Sequence, residues 1–275
     1  MKRYISQGVQ LALQILCCLL VAFVPMAGQG QNLDSLERVL KTKRLTDGER
    51  IKVLDDLNWL YNSIDVDRSI KFGKQGLDLA ERIGDEKMEA TFLKNIGIAY
   101  YMHGVLDTAL RYLDKAKPII ENLDDYRTRA SLFNAYANIY RRQSLYNEAI
   151  DNYLKAAEIL EKQDDFQALG LMYSNIGGVY QILINNEQAL IYHKKAEKMA
   201  IKADDKDGLG SVYISLSDIG LYRGAPISES IDYAKKAIAI FQQTGNTLFE
   251  NKALQTLAKV YYYHKDYTAA EPLIE

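Results

Sequence analysis

The sequence predicts an all-α superhelix of about six helix hairpins, each about 40 residues long. Three observations lead to this reading. Small residues recur inside helical segments at Gly97, Ala137, Gly177, Ser217 and Ala258, with spacings of 40, 40, 40 and 41. Two further small columns keep the same period, one through Ser69, Ala109, Ala149, Ala189, Ser230 and Ala270 and the other through Gly76, Ala116, Ala156, Ala196 and Ala237. Only four prolines and 17 glycines punctuate 275 residues, too few for many strands and turns but enough for long helices.

Taken in chain order, Lys2 and Arg3 precede an uncharged stretch over residues 4–33 whose apolar heart, residues 11–24, is broken only by Gln14. A short basic start followed by an apolar run is the order of a secretory signal peptide, and the run is shorter than the roughly 20 residues that span a bilayer. Pro25, Ala27, Gly28 and Gly30 follow it, so residues 1–30 are read as a signal peptide cleaved near residue 30, with an uncleaved N-terminal anchor as the alternative. Either reading puts the rest of the chain on the periplasmic or extracytoplasmic side of a membrane. Cys17 and Cys18 both lie in the apolar run, so a processed chain holds no thiol for a disulfide or a metal.

Residues 31–48 follow as a capping segment. Asp34, Leu36, Val39 and Leu40 alternate as a short amphipathic helix able to cover the open apolar edge of a repeat array. The array fills residues 49–275. Acidic or glycine turns at Gly84-Asp85, Asp124-Asp125, Asp164-Asp165, Asp204-Asp205 and Gly245-Asn246 mark its boundaries. The extra residue of the fifth hairpin falls in the turn at Arg223, Gly224, Ala225 and Pro226, where an insertion leaves helix packing intact.

A bulky column at Leu60, Tyr100, Tyr140, Tyr180 and Tyr261, broken at Gly220, runs three residues behind the first small column and is read as core. Gly97 and Gly177 each sacrifice about 1 kcal/mol of helix propensity, which local preference does not explain. Close helix approach, to about 8–10 Å, does, with the bulky residue one turn later filling the gap. The second helix of the sixth hairpin is cut short at Glu275, which leads to the expectation of further domains beyond it.

Ile96-Gly97-x-x-Tyr100 with Ala109, Leu113 and Ala116, and Ile176-Gly177-x-x-Tyr180 with Ala189, His193 and Ala196, resemble tetratricopeptide repeats. The early tryptophan and regular closing proline are lacking, and the period is 40 instead of 34. The resemblance implies a right-handed α-α superhelix whose first helices line a concave groove. Residues stepping along that face are Asn58, Lys94, Asn95, Tyr101, Asn134, Asn138, Arg141, Asn175 and Tyr262, the expected partner-binding set. Asparagine amides offer a donor and an acceptor to an extended peptide backbone, and Arg141 offers a charge to an acidic group. The leader and the 40-residue units also resemble, in layout, exported sensor segments of Bacteroidota-type transmembrane histidine kinases and related signalling proteins. The implied role is the sensor part of a signal-transduction protein, with a free-standing periplasmic scaffold as the alternative.

Other function classes find little footing. With 34 basic and 36 acidic residues the net charge is −2, and no basic excess is available for nucleic-acid phosphates. No phosphate loop, His-Glu-x-x-His or Cys-x-x-Cys spacing occurs, and His103, His193 and His264 lie far apart. No catalytic residue, metal ligand or cofactor is therefore expected, and the expected partner is a protein or extended peptide.

Overall fold

The structure, a computed structural model, describes the backbone of residues 26–273 and the side chains of residues 33–273. Thirteen α-helices and one 3₁₀ turn make up these residues, with no strand among them. In chain order they are α1 (Met26–Thr42), α2 (Asp47–Tyr61), α3 (Val66–Ile83), α4 (Glu86–Met102), α5 (Leu106–Asn122), α6 (Tyr126–Arg142), α7 (Tyr146–Glu161), α8 (Phe166–Ile182), α9 (Asn186–Lys202), α10 (Lys206–Tyr222), α11 (Ile227–Thr244), α12 (Thr247–Tyr263) and α13 (Tyr267–Ala270). Of the expected leader, residues 1–30, residues 1–25 lie outside the described residues, and α1 runs through the expected boundary at residue 30. The chain divides into two compact units, one running to Tyr112 and the other from Leu113.

The helices start and stop where local chemistry directs. Asp85, Asp125, Asp165, Asp205 and Asn246 are N-caps whose side chains accept from the backbone N–H three residues on, at 3.0 Å for Met88 and 2.9 Å for Gly208. The paired acids are thus helix starters. Just ahead of four of these caps, Gly84, Asp164, Asp204 and Gly245 take positive φ and close the preceding helix. A second left-handed column occupies the turn within each hairpin from the second onward, at Gly104, Ser144, Ile184, Gly224 and Lys265, spaced 40, 40, 40 and 41.

In the first unit, α2 packs on α3 and α3 on α4, around Ile51, Leu54, Leu57, Leu79, Phe92 and Ile96. Helix α1 closes one end: Leu33 is buried in the same core, and Tyr61 Oη donates to Glu37 Oε1 at 2.6 Å. Arg68 reaches both groups, at 3.1 Å and 2.9 Å, and the Tyr61 bond with the nearby cations holds Glu37 below the usual carboxylate range. In the second unit each helix packs on the next from α6 to α12, around a core that includes Tyr153, Leu169, Ile176, Val179, Leu216 and Phe241.

The small columns act as expected, but what faces them differs from the sequence reading. A Cβ on Gly177 would meet the His193 ring at 2.6 Å, one on Gly210 the Phe241 ring at 2.6 Å, and one on Gly76 the Phe92 ring. The filler is thus a large side chain from the partner helix, not the bulky residue one turn later. Tyr100, Tyr140 and Tyr180 are half-buried at the core's edge, stacked on Tyr112, Tyr136 and Tyr192 with ring centroids 5.4, 6.3 and 5.6 Å apart.

The first hairpin departs from the period. Its N-cap, Thr46, stands 39 residues before Asp85, whereas the caps that follow are spaced 40, 40, 40 and 41. Tyr61, not Leu60, therefore occupies the bulky column and stacks on Phe72 at 5.7 Å. By the same shift Asn58 falls in the small column.

Candidate partner-binding wall

The wall expected from the sequence is made of first helices, and these are neighbours in each unit: α2 touches α4 in the first, while α8 touches α10 and α10 touches α12 in the second. The side chains placed there sort into fasteners and surface.

In the first unit, Asn58 is 1% exposed, and its amide donates to Ser69 O at 3.0 Å and Ser69 Oγ at 3.1 Å. Ser69 Oγ returns a bond to Asn58 O at 2.6 Å. Asn58 is a core clasp between α2 and α3, a correction that follows from the 39-residue offset. Asn95 is also buried, and its Nδ2 donates to Asp55 Oδ1 at 3.3 Å, joining α4 to α2. Burial raises the Asp55 pKa, as does the neighbouring Asp56, while Lys94 and the Asn95 bond oppose the rise. Tyr101 is buried instead of displayed. Lys94 is half-buried beside Asp55.

In the second unit the asparagines form a chain. Tyr153 Oη donates to Asn138 Oδ1 at 2.6 Å, Asn138 Nδ2 to Asn134 Oδ1 at 3.4 Å, and Asn175 Nδ2 to the same Asn134 oxygen at 3.4 Å. The last bond joins α8 to α6 in the register of Asn95 and Asp55, so one amide clip appears in two places. Arg141 is half-buried in the final turn of α6. Tyr262 is 60% exposed, with ring contacts to Tyr263 and Tyr267 at 6.3 and 5.4 Å.

The face read from the sequence also carries Asp218 and Lys259, but their pairing with each other is not legible in it. Lys259 Nζ bonds Asp218 Oδ1 at 2.9 Å, joining α12 to α10, and lies 4.9 Å from the Tyr222 ring centroid. Burial alone lowers the Lys259 pKa, but Asp218 and Tyr222 outweigh it and hold the ammonium above its ordinary value. Trp59 and Asn62 take the first-hairpin places equivalent to Asn138 and Arg141 once the 39-residue offset is applied. On the second helices, Lys155 lies over Phe133, Lys195 over Tyr173 and Lys236 over Tyr213, at 5.9, 5.4 and 5.9 Å. These columns, spaced 40 and 41 for lysine and 40 for the rings, were legible as a period, but their pairing across helices was not.

Among the described residues no group of three or more His, Cys, Asp or Glu is arranged to hold a metal ion. His193 is buried, its Nε2 3.1 Å from Gln181 Oε1, and burial depresses its pKa to about 4. His103 and His264 are exposed near turns. No described helix is long and apolar enough to cross a membrane.

Helix hairpins that keep one register from the second onward, fastened by small residues and capped at the turns between them, define an α-helical repeat protein. Residues 88–162 and 128–202 match the tetratricopeptide repeat family model, so this stretch of the chain is built of tetratricopeptide repeats. No curated protein sequence matches it. Among solved structures it is similar to aspartyl phosphate phosphatase F from Bacillus subtilis, at 19% identity and a TM-score of 0.67, covering 86% of this chain and 72% of that one. It is similar to a signal transduction ATPase with numerous domains and a tetratricopeptide repeat sensor from Pyrococcus horikoshii, at 23% identity and 0.67, covering 89% and 40%. A third likeness is to PlcR from Bacillus thuringiensis in complex with the peptide PapR7 and DNA, at 16% identity and 0.58, covering 84% and 85%. At these identities the likeness establishes the fold.

Proposed function

We propose that this chain is a non-catalytic region that binds a protein or extended peptide along its first helices. One observation carries the reading. The packing columns keep the same residue types from hairpin to hairpin, whereas the wall columns change chemistry at each step: Asn138, Gly178, Asp218 and Lys259 in one, Arg141, Gln181, Leu221 and Tyr262 in the other. Folding constrains the packing columns and leaves the wall free to differ from hairpin to hairpin. Variation in charge, size and hydrogen bonding along a rigid row is what reading a partner residue by residue requires. The presence of a peptide in the PlcR complex, a protein of the same fold, supports the same class of partner.

The test is site-specific photo-crosslinking in the full chain, with a benzophenone residue at Gly178, where a new Cβ meets no atom within 4 Å, and at exposed Tyr262. Capture of one protein species from both positions, and none from Lys195 on the second-helix face, is the expected result. Equal capture from Lys195 would overturn the wall as the binding face.

The sensor role extends this proposal. The uncharged leader supports export, and in this reading the repeats face the periplasm and pass occupancy to a further signalling domain. An alkaline phosphatase fusion joined after residue 48 should be active; an inactive but intact fusion sinks the export reading. A free-standing periplasmic scaffold is the second reading, favoured by the family's general use of stacked hairpins as assembly surfaces.

A further inference from the structure

In the second unit the turns inside the hairpins, where α6 leads to α7, α8 to α9, α10 to α11 and α12 to α13, share one edge. Tyr222 and Tyr263, from the last turns of α10 and α12, are in ring contact at 6.4 Å, and α8 packs against α10 one hairpin earlier. The middle of this edge is apolar and exposed: Leu145, then three consecutive aliphatic residues at Ile182, Leu183 and Ile184, then Tyr222. Ile184 projects furthest, 77% exposed at a hairpin tip with φ of 59°. A β-branched residue is costly in that backbone region, and in the isolated chain nothing buries its side chain in return.

The same edge is basic. Residues 141–146, 181–186, 221–226 and 261–266 hold four cations, Arg141, Arg142, Arg223 and Lys265, against one acid, Asp266. The turns between hairpins, residues 121–126, 161–166, 201–206 and 241–246, hold eight acids against three cations. Arg223 is bridged to Glu229 at 2.6 Å, which leaves exposed Arg142 and Lys265 to set the sign of the edge. Glu187, the acid nearest the tip in sequence, lies in the first turn of α9, where the helix N-terminus offsets its charge. Projecting aliphatic residues flanked by tyrosine rings and cations match the three layers of a bilayer surface, which are acyl chains, interface and anionic headgroups. A protein partner would need a groove shaped to this tip, whereas a bilayer needs none.

We propose that this edge of the second unit docks on an anionic lipid surface, with Ile182, Leu183 and Ile184 entering the acyl region and Arg142 and Lys265 held at the headgroups. The three tip residues are outside the first-helix set proposed to bind a peptide, so the inference stands apart from that reading. The dock is peripheral, made by side chains at a turn and not by a spanning helix.

The test places one reporter in the full-length chain. Trp59, its single tryptophan, is removed as Trp59→Phe, and either Leu183→Trp or Ile201→Trp is added; Ile201 is 59% exposed beside a turn between hairpins. Emission is read against vesicles of brominated phosphatidylcholine with or without brominated phosphatidylglycerol, whose bromine quenches only a tryptophan that reaches the acyl region. The expected result is saturable quenching of Leu183→Trp by the anionic vesicles, several-fold weaker quenching by the neutral ones, and none of Ile201→Trp. Adding Ile184→Gly to the Leu183→Trp chain should weaken quenching about tenfold without loss of fold, because it removes an aliphatic contact with lipid and places glycine where φ is positive. Any attachment through residues 1–30 is common to all these variants, so differences among them report on the edge. Equal quenching at the two positions, equal quenching by the two kinds of vesicle, or quenching unchanged by Ile184→Gly each overturns the proposal. A shift in Leu183→Trp emission that grows with protein concentration in the absence of vesicles also overturns it, assigning the tip to a second copy of the chain.

Discussion

At the scale of single residues, adjacent glycines in α8 show how packing and propensity compete. Gly177 abuts the His193 ring, whereas a Cβ on Gly178 finds nothing within 4 Å. Gly177→Ala should destabilise the chain by about 1–3 kcal/mol through overpacking, and Gly178→Ala should stabilise it by about 0.5–1 kcal/mol by favouring the helix. Paired urea denaturations of the two variants check this. His193 supplies a pH signature. Its folded pKa of about 4 lies below the ordinary 6.5, so both states are neutral above pH 6.5 and the unfolded state alone gains a proton below it. Stability should fall as pH drops from about 6.5 to about 4, by roughly 3 kcal/mol from this group. His193→Gln should flatten that part of the Tm-against-pH curve, and an unchanged curve would refute the assignment. Asn138, expected as a free groove amide, instead holds the hydroxyl of buried Tyr153, so Asn138→Ala removes a core contact and is unsuited as a neutral probe of binding.

The helical hairpin is the next scale, and its turn is where one repeat departs from the rest. The left-handed position within the hairpin is glycine twice, serine once and lysine once, but in α8–α9 it is Ile184, with φ of 59° and 77% exposure. A β-branched residue in that region pays about 1–2 kcal/mol against glycine, and exposure returns no burial energy to offset it. Ile184→Gly should therefore raise the unfolding free energy by about 1 kcal/mol, read by chemical denaturation. The neighbouring Ile182 and Leu183 are also exposed, and together the three form the most apolar turn of the array. The caps on either side of each helix were legible in the sequence because they are local: Asp, Asn and Gly act within three or four residues of where they stand.

Over the whole chain, legibility followed the same rule of distance. The 40-residue period and the register from the second hairpin onward could be read from columns of small residues, since those columns recur once per hairpin. The first hairpin could not, because a single missing residue moves every side chain around α2, and only the Thr46 cap and the Tyr61–Phe72 stack expose the shift. Of the expected binding set, Asn58, Asn95 and Tyr101 turned inward, while Tyr262 is exposed. Asparagine on a helix has the same period whether it meets solvent or another amide, so its role depends on a partner some 40 residues off. The clip that joins Asn95 to Asp55 and Asn175 to Asn134 is such a pairing. Asn175→Ala should cost about 0.5–1.5 kcal/mol and hasten amide exchange in α6 and α8. At these two places the clip ties one first helix to the next. Whatever enters between two first helices must either keep the clip or replace its hydrogen bond, so each clip behaves as a stiff spring with a release threshold, and a bound segment able to trip it would lengthen that stretch in a discrete step.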